Sequence, residues 1–204
     1  MITAFNLYYA QPGQTDAVLR QRHYACDVRQ SIGIPRGTVM SRVSGAADLP
    51  DVMWEQDFDD VAAHERDMAA RAASAEFERV RAGMRQLIRR FERPLFEVCD
   101  NAAAPASAAP VVALQWVFCR PEAVGAALDA VDEVATHCAR RGLERGRRLR
   151  LVTSGLDLPA VIWARRYVDD GSLDRASSAI AAAAGTQALV RIADRVEHSV
   201  WSLR

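Results

Sequence analysis

The chain has 204 residues, 50% of them hydrophobic, with 26 basic residues set against 26 acidic ones. That is long enough for one large domain or two small ones with buried cores, and a balanced charge gives no field to draw the protein to nucleic acid or an anionic membrane. Every basic residue is arginine, and the lack of lysine excludes Schiff-base, pyridoxal and Walker-A phosphate-loop chemistry.

Residues 2–10 are rich in strand formers and end at the turn Gln11-Pro12-Gly13. The spacing predicts a helix over 15–32, with Thr15 as N-cap, an apolar stripe of Val18, Leu19, Ala25, Cys26, Val28 and Ile32, and Gly33 as its stop. Strands follow at 38–44 and 52–58, separated by a turn. Asp60 can cap the next helical region, which runs to about residue 88 with a break near Ser74 and carries Phe77, Val80, Met84, Leu87 and Ile88 at helical spacing. A last strand over 91–98 contains Pro94, which marks an edge or a bulge. Residues 100–110, rich in alanine and proline, read as a linker.

The same order then returns. Asp48-Leu-Pro-Asp-Val-Met-Trp54 reappears as Asp157-Leu-Pro-Ala-Val-Ile-Trp163, and Pro12, Gly33, Arg36-Gly37 and Asp60 find Pro121, Gly142, Arg145-Gly146 and Asp169, all at a spacing of 109. Near the end the spacing falls to 105, where Phe96 matches Trp201, about one helical turn lost. A period of that length is a duplicated domain. The expected organisation is residues 1–99, a linker over 100–110, and residues 111–204. The expected fold is α+β: two tandem ferredoxin-like βαββαβ units forming an intramolecular, pseudo-dimeric α/β barrel.

The four cysteines, Cys26, Cys99, Cys119 and Cys138, form no CxxC pair and read as buried or idle thiols. The first residues lack the basic and apolar regions of a signal peptide, and no apolar run is long enough to span a bilayer, so the expected place is a reducing cytoplasmic compartment.

Strand alternation sorts the candidate chemistry. Phe5, Leu7 and Tyr9, with Leu114, Trp116 and Phe118 in the second half, are assigned to the helix-packed face, together with Val52, Trp54, Phe58 and Val161, Trp163, Tyr167. The other face then carries Asn6, Tyr8, Glu55 and Asp57 in the first half and Gln115 and Arg166 in the second, with Arg148 or Arg150 nearby. One reading is a pocket in which Asp57 or Glu55 is the base, Arg166 stabilises an oxyanion, and Asn6, Tyr8, Gln115 and Arg150 hold a ligand. The other reading is an ion-pair network, or charges in water. His64 is either a helix-surface residue or a haem ligand; no helical spacing makes a metal motif, and none is expected. The arginine-rich run 140–150 reads as a solvated turn and strand edge. RNA-recognition motifs share the βαββαβ order, but their aromatic signature is absent, so no nucleic-acid partner is expected.

Asp51-Val-Met-Trp-Glu-Gln-Asp-Phe-Asp-Asp-Val-Ala-Ala-His-Glu-Arg66, with Ala73-Ser-Ala-Glu-Phe77 and Arg93-Pro-Leu-Phe-Glu97, resembles the NIPSNAP group of the dimeric α/β-barrel superfamily, which also holds antibiotic-biosynthesis and haem-degrading monooxygenases. The resemblance covers roughly residues 1–98. It implies paired ferredoxin-like units and a pocket between or beside the sheets. Haem-degrading members use an asparagine on the first strand, where Asn6 stands, but the tryptophan–histidine pair that accompanies it is not found. The expected function is binding of a small aromatic or apolar molecule. Were the protein an enzyme, it would act as a cofactor-independent monooxygenase, since no flavin or dinucleotide glycine fingerprint is present. The alternative is a non-catalytic interaction module with a side-chain-filled barrel. Either would be a monomer with an internal pseudo-dimer, or a homodimer, with no membrane partner.

Overall fold

A computed structural model describes residues 1–100, 110–153 and 157–204 and divides into two compact units. Unit 1 comprises Met1–Arg42, Ala47–Leu95 and Leu203–Arg204; unit 2 comprises Val43–Ala46 and Phe96–Ser202. Most of the expected linker lies outside the described residues. Among the described residues, no helix is long and apolar enough to cross a membrane.

Unit 1 runs β1 (Ile2–Ala10), α1 (Thr15–Ser31), β2 (Thr38–Gly45) as far as Arg42, β3 (Val52–Phe58), α2 (Val61–Ala72), α3 (Ala75–Arg85) and β4 (Ile88–Glu92). The strands are antiparallel in the order β2-β3-β1-β4, the ferredoxin-like arrangement. Local chemistry sets the boundaries. Gln14, not Thr15, caps α1, and with no side-chain bond; the turn from Gln11 to Gln14 is closed by backbone alone. Gly33, at φ 76, ends α1, and Ile34 N–H returns to Arg29 O. Asp60 accepts from Ala63 N–H and Ser74 from Phe77 N–H, so the break at Ser74 is a second N-cap. The last strand expected over 91–98 is split by Pro94, with β4 before it and β5 (Leu95–Val98) after it. At the other end of the chain, Arg204 N–H donates to Val39 O in β2.

Unit 2 contains Phe96–Val98 of β5, then β6 (Val111–Phe118), α4 (Val124–Ala139), β7 (Arg147–Leu151), β8 (Val161–Tyr167), α5 (Asp170–Ala181), α6 (Ala184–Ile192) and β9 (Arg195–Leu203), the last as far as Ser202. Its antiparallel order is β5-β7-β8-β6-β9. Asp169 caps α5 as Asp60 caps α2. The chain is thus α+β, two ferredoxin-like units in tandem.

Each unit centres on a tryptophan held in the same way. Trp54 Nε1–H donates to Arg36 O at 3.0 Å, and Trp163 Nε1–H to Arg145 O at 2.8 Å. The next residue is glycine in both units because the indole lies against it: a Cβ at Gly37 would sit 2.1 Å from Trp54 Nε1. Gly37 also has φ +71. Gly37→Ala is expected to cost about 1–3 kcal/mol in chemical denaturation. Gly13→Ala, at φ +74 with nothing within 4 Å, isolates the backbone term; equal losses for the two would sink the close-approach argument.

The strand faces require one correction. Directly opposed residues of an antiparallel pair share a face, and Asn6 opposes Trp54 while Phe5 opposes Glu55 and Thr3 opposes Asp57. The helix-covered face of β1 is therefore Ile2, Ala4, Asn6, Tyr8 and Ala10, and all of these but Asn6 share one apolar cluster with Val52, Trp54 and Phe58. Phe5, Leu7 and Tyr9 lie on the other face with Glu55 and Asp57. In unit 2, Gln115 opposes Trp163 and Trp116 opposes Ile162, so Gln115 is on the helix-covered face with Ala113 and Val117.

Candidate functional site

Unit 1 holds a cavity of about 250 Å³ between its sheet and its helices. Phe77, Val80 and Met84 of α3 and Ile88 of β4 give it apolar walls. Asn6 and Tyr8 of β1 form the floor, Arg22 of α1, Arg71 at the end of α2 and Arg93 after β4 enter it, and Phe91 stands at the rim.

The polar groups form one chain of contacts. Arg93 Nε–H donates to Asn6 Oδ1 at 3.0 Å, Asn6 Nδ2–H to Tyr8 Oη at 3.2 Å, and Arg22 Nη1–H to the same phenol oxygen at 3.5 Å. Tyr8 Oη accepts both bonds, which leaves its own proton to donate. Arg22 is 2% exposed, lies over the Trp54 ring at 4.7 Å, and its Nε has no partner. Arg71 is held by Asp67 at 2.8 Å, and Asp67 is bound at the same time by the fully buried Arg29 at 2.6 Å.

Charge does not balance here. Arg22, Arg71 and Arg93 meet in one cavity lined by no carboxylate, and the nearby Asp67 is shared with Arg29. Burial, with Arg93, Arg29 and Arg22 adding repulsion and Asp67 opposing it, brings the Arg71 guanidinium down to about 10. Burial, reinforced by Arg22, also lowers Arg93. Buried cations without matching anions are costly. An anion entering the cavity would offset that cost, and Phe77, Val80, Met84 and Ile88 would give it apolar contact.

Of the residues expected in a site, Asn6 and Tyr8 line this cavity. Glu55 and Asp57 do not: they lie on the opposite sheet face, where Asp57 accepts from the Thr3 hydroxyl at 2.7 Å. The strand register therefore separates Glu55 and Asp57 from Asn6 and Tyr8, with which they were expected to share a pocket. In unit 2 Gln115 and Arg166 likewise fall on opposite faces, and the Arg166 backbone N–H donates to Glu144. Arg150 is exposed and paired with Glu97, and Arg148 is paired with Asp100 and Asp132. His64 is buried rather than on the helix surface, packed edge-on to Phe58 at 5.2 Å, and it does not line the cavity. Burial, then Arg71, lowers its pKa. Among the described residues no group of three His, Cys, Asp or Glu side chains could hold a metal ion.

Sequence reasoning missed Arg22, Arg71 and Arg93. The signal for Arg22 was present: Val18, Arg22, Ala25 and Arg29 follow one another at helical spacing along the stripe that α1 buries.

No protein-family model matches the sequence, and no curated protein matches it. Solved structures do match over the full length. An anthrone oxidase-like protein superposes with a TM-score of 0.71 at 15% identity, covering 100% of this chain and 91% of that one. A candidate monooxygenase from Lactobacillus acidophilus gives 0.60 at 12%, covering 99% and 93%. A mutant chlorite dismutase from Candidatus Nitrospira defluvii, in complex with cyanide, gives 0.57 at 12%, covering 100% and 90%. At these identities the likeness shows the fold alone, two ferredoxin-like units in one chain.

Proposed function

We propose that the unit 1 cavity binds a planar aromatic molecule as its phenolate or enolate, and that the chain oxygenates this anion without a flavin or dinucleotide. The observation that carries the reading is the convergence of Arg22, Arg71 and Arg93 on an apolar-walled cavity that no carboxylate lines. The likeness to an anthrone oxidase-like protein and to a candidate monooxygenase supports it.

The chemistry follows from the charges. Guanidinium groups in a desolvated site lower the pKa of a bound phenol or enol, so the ligand is held ionised near neutral pH. The Tyr8 hydroxyl and the Asn6 amide orient its oxygen. With no carboxylate lining the cavity, the proton leaves to solvent. The electron-rich carbon then passes electrons to dioxygen: a CH₂ carbon becomes C=O, one oxygen atom stays on it, and the other leaves as water with the two hydrogens.

Anthrone is the probe substrate, read by oxygen uptake and anthraquinone formation. Arg22→Leu is expected to lower kcat/KM by about 100-fold, the usual loss for one donor to a developing anion, while Glu55→Gln on the far sheet face leaves it unchanged. In binding, Trp54, which Arg22 covers, reports by fluorescence. Dihydroxyanthraquinone should bind at least about tenfold more tightly than anthracene. Equal binding of the two, or an Arg22→Leu protein with full activity, would overturn the reading.

A further inference from the structure

Unit 2 has its own open cavity, of about 340 Å³, lined by α5, the strands β6, β8 and β9, Ser44 and Thr186. It overlaps only in part the place that the arginine-lined cavity has in unit 1: Ile180 and His198 line it where Arg71 and Arg93 line the other, while Gln115, Val117 and Val131, the counterparts of Asn6, Tyr8 and Arg22, do not line it. At the spacing of 109 Arg71 becomes Ile180, and at the later spacing of 105 Arg93 becomes His198. In exchange Gln56 becomes Arg165.

Arg165 is the feature without a structural account. It is 4% exposed and lines the cavity. Its guanidinium lies over the Trp163 ring at 4.1 Å, and Nη1–H donates to Tyr167 Oη at a long 3.4 Å. Nε has no partner, and among the described residues Arg165 forms no ion pair. The acid closest in effect, Glu144, already accepts the Arg166 backbone N–H at 2.7 Å. Burial holds Arg165 below the usual arginine range. A fully buried cation held only by a ring face and a long phenol bond is unfavourable unless something else completes it.

We infer that unit 2 carries a second binding site, for a small carboxylate with an apolar body, whose anion pairs with Arg165. Leu173, Ile180 and Val200 supply the apolar contact, and Ser177 and His198 stand at the exposed rim. One guanidinium in place of several selects a single localised charge, not an extended aromatic dianion. The inference is independent of the reading of unit 1.

The test uses the full chain carrying Arg22→Leu, which weakens the unit 1 anion site, and the probes benzoate and 1-naphthoate in calorimetric titration. One equivalent should still bind, and adding Arg165→Gln, which restores the residue of the first half, should weaken binding by at least about tenfold. Trp163 fluorescence should respond to the probe in the first protein and not in the second. Stability gives a separate readout without ligand. Arg165→Met removes an uncompensated buried charge and is expected to raise Tm by about 2–4 °C, whereas an arginine serving only the fold would lower it. Probe affinity unchanged by Arg165→Gln, tight binding of the neutral 1-naphthalenemethanol, or a lower Tm for Arg165→Met would each overturn the inference.

Discussion

Replacing Asp67 with asparagine is expected to destabilise unit 1 by about 3–5 kcal/mol, the usual loss when one partner of a buried ion pair is removed. Asp67 is 4% exposed and serves two guanidinium groups. Arg29 is 0% exposed and reaches it with both terminal nitrogens, at 2.6 and 3.2 Å; Arg71 adds a contact at 2.8 Å. The carboxylate thus ties α1 to α2 and neutralises part of a cluster of four arginines. Asparagine has nearly the same shape but turns an NH₂ toward donors, leaving two buried cations without an anion. Asp67→Glu keeps the charge and should lose much less. The measurement is urea unfolding followed by far-UV circular dichroism, and a loss below about 1 kcal/mol would show that Arg29 and Arg71 do not depend on Asp67. The change has a second consequence for the cavity. Arg71 lines it, so removing Asp67 makes it more positive. A saturating anionic ligand should therefore recover part of the lost stability in Asp67→Asn, and more than it adds to the unaltered protein.

The fold was largely legible because it rests on local chemistry that survives in both halves. Trp54 and Trp163, the glycines beside them and the capping aspartates Asp60 and Asp169 recur at one spacing and do the same job in each unit. The face of β1 was not legible. All nine of its residues are buried, so its alternation carries no contrast between core and solvent, and side-chain bulk gave the wrong answer. That error moved Asn6 and Tyr8 onto the face of Glu55 and Asp57, and it supplied a general base that the cavity lacks. The arginines were missed for a different reason. In a chain without lysine every cation is an arginine, so a buried functional one looks like the many at the surface. Arg22 and Arg29 could have been told apart only by their place in the apolar stripe of α1, and Arg165 only by its parity with Trp163 along β8.

Trp54 joins the core of unit 1 to its cavity, and Trp54→Ala is the substitution that separates the two roles. The indole is 1% exposed, and its ring carries Arg22 at 4.7 Å and Arg29 at 4.6 Å. Truncation leaves a cavity worth about 3–5 kcal/mol. It also strands the Arg36 carbonyl and removes the ring face from two buried guanidinium groups, each stack being worth about 0.5–2 kcal/mol. The expected loss therefore lies at the upper end of that range, and unit 1 should unfold at markedly lower urea. Trp54→Phe keeps an aromatic face and gives up the N–H bond to Arg36 and part of the volume, so a loss of about 1–3 kcal/mol is expected. The ligand separates the two variants further. Arg22 has no carboxylate to hold it, only the ring, the Tyr8 oxygen and the Cys26 sulfur. Without the ring it loses its fixed direction into the cavity, and anion affinity should fall by about tenfold or more in Trp54→Ala at a temperature where the protein is still folded. In Trp54→Phe the affinity should stay within about threefold. Equal affinities for the two variants would mean that the tryptophan serves the core alone and that Arg22 is positioned by Tyr8.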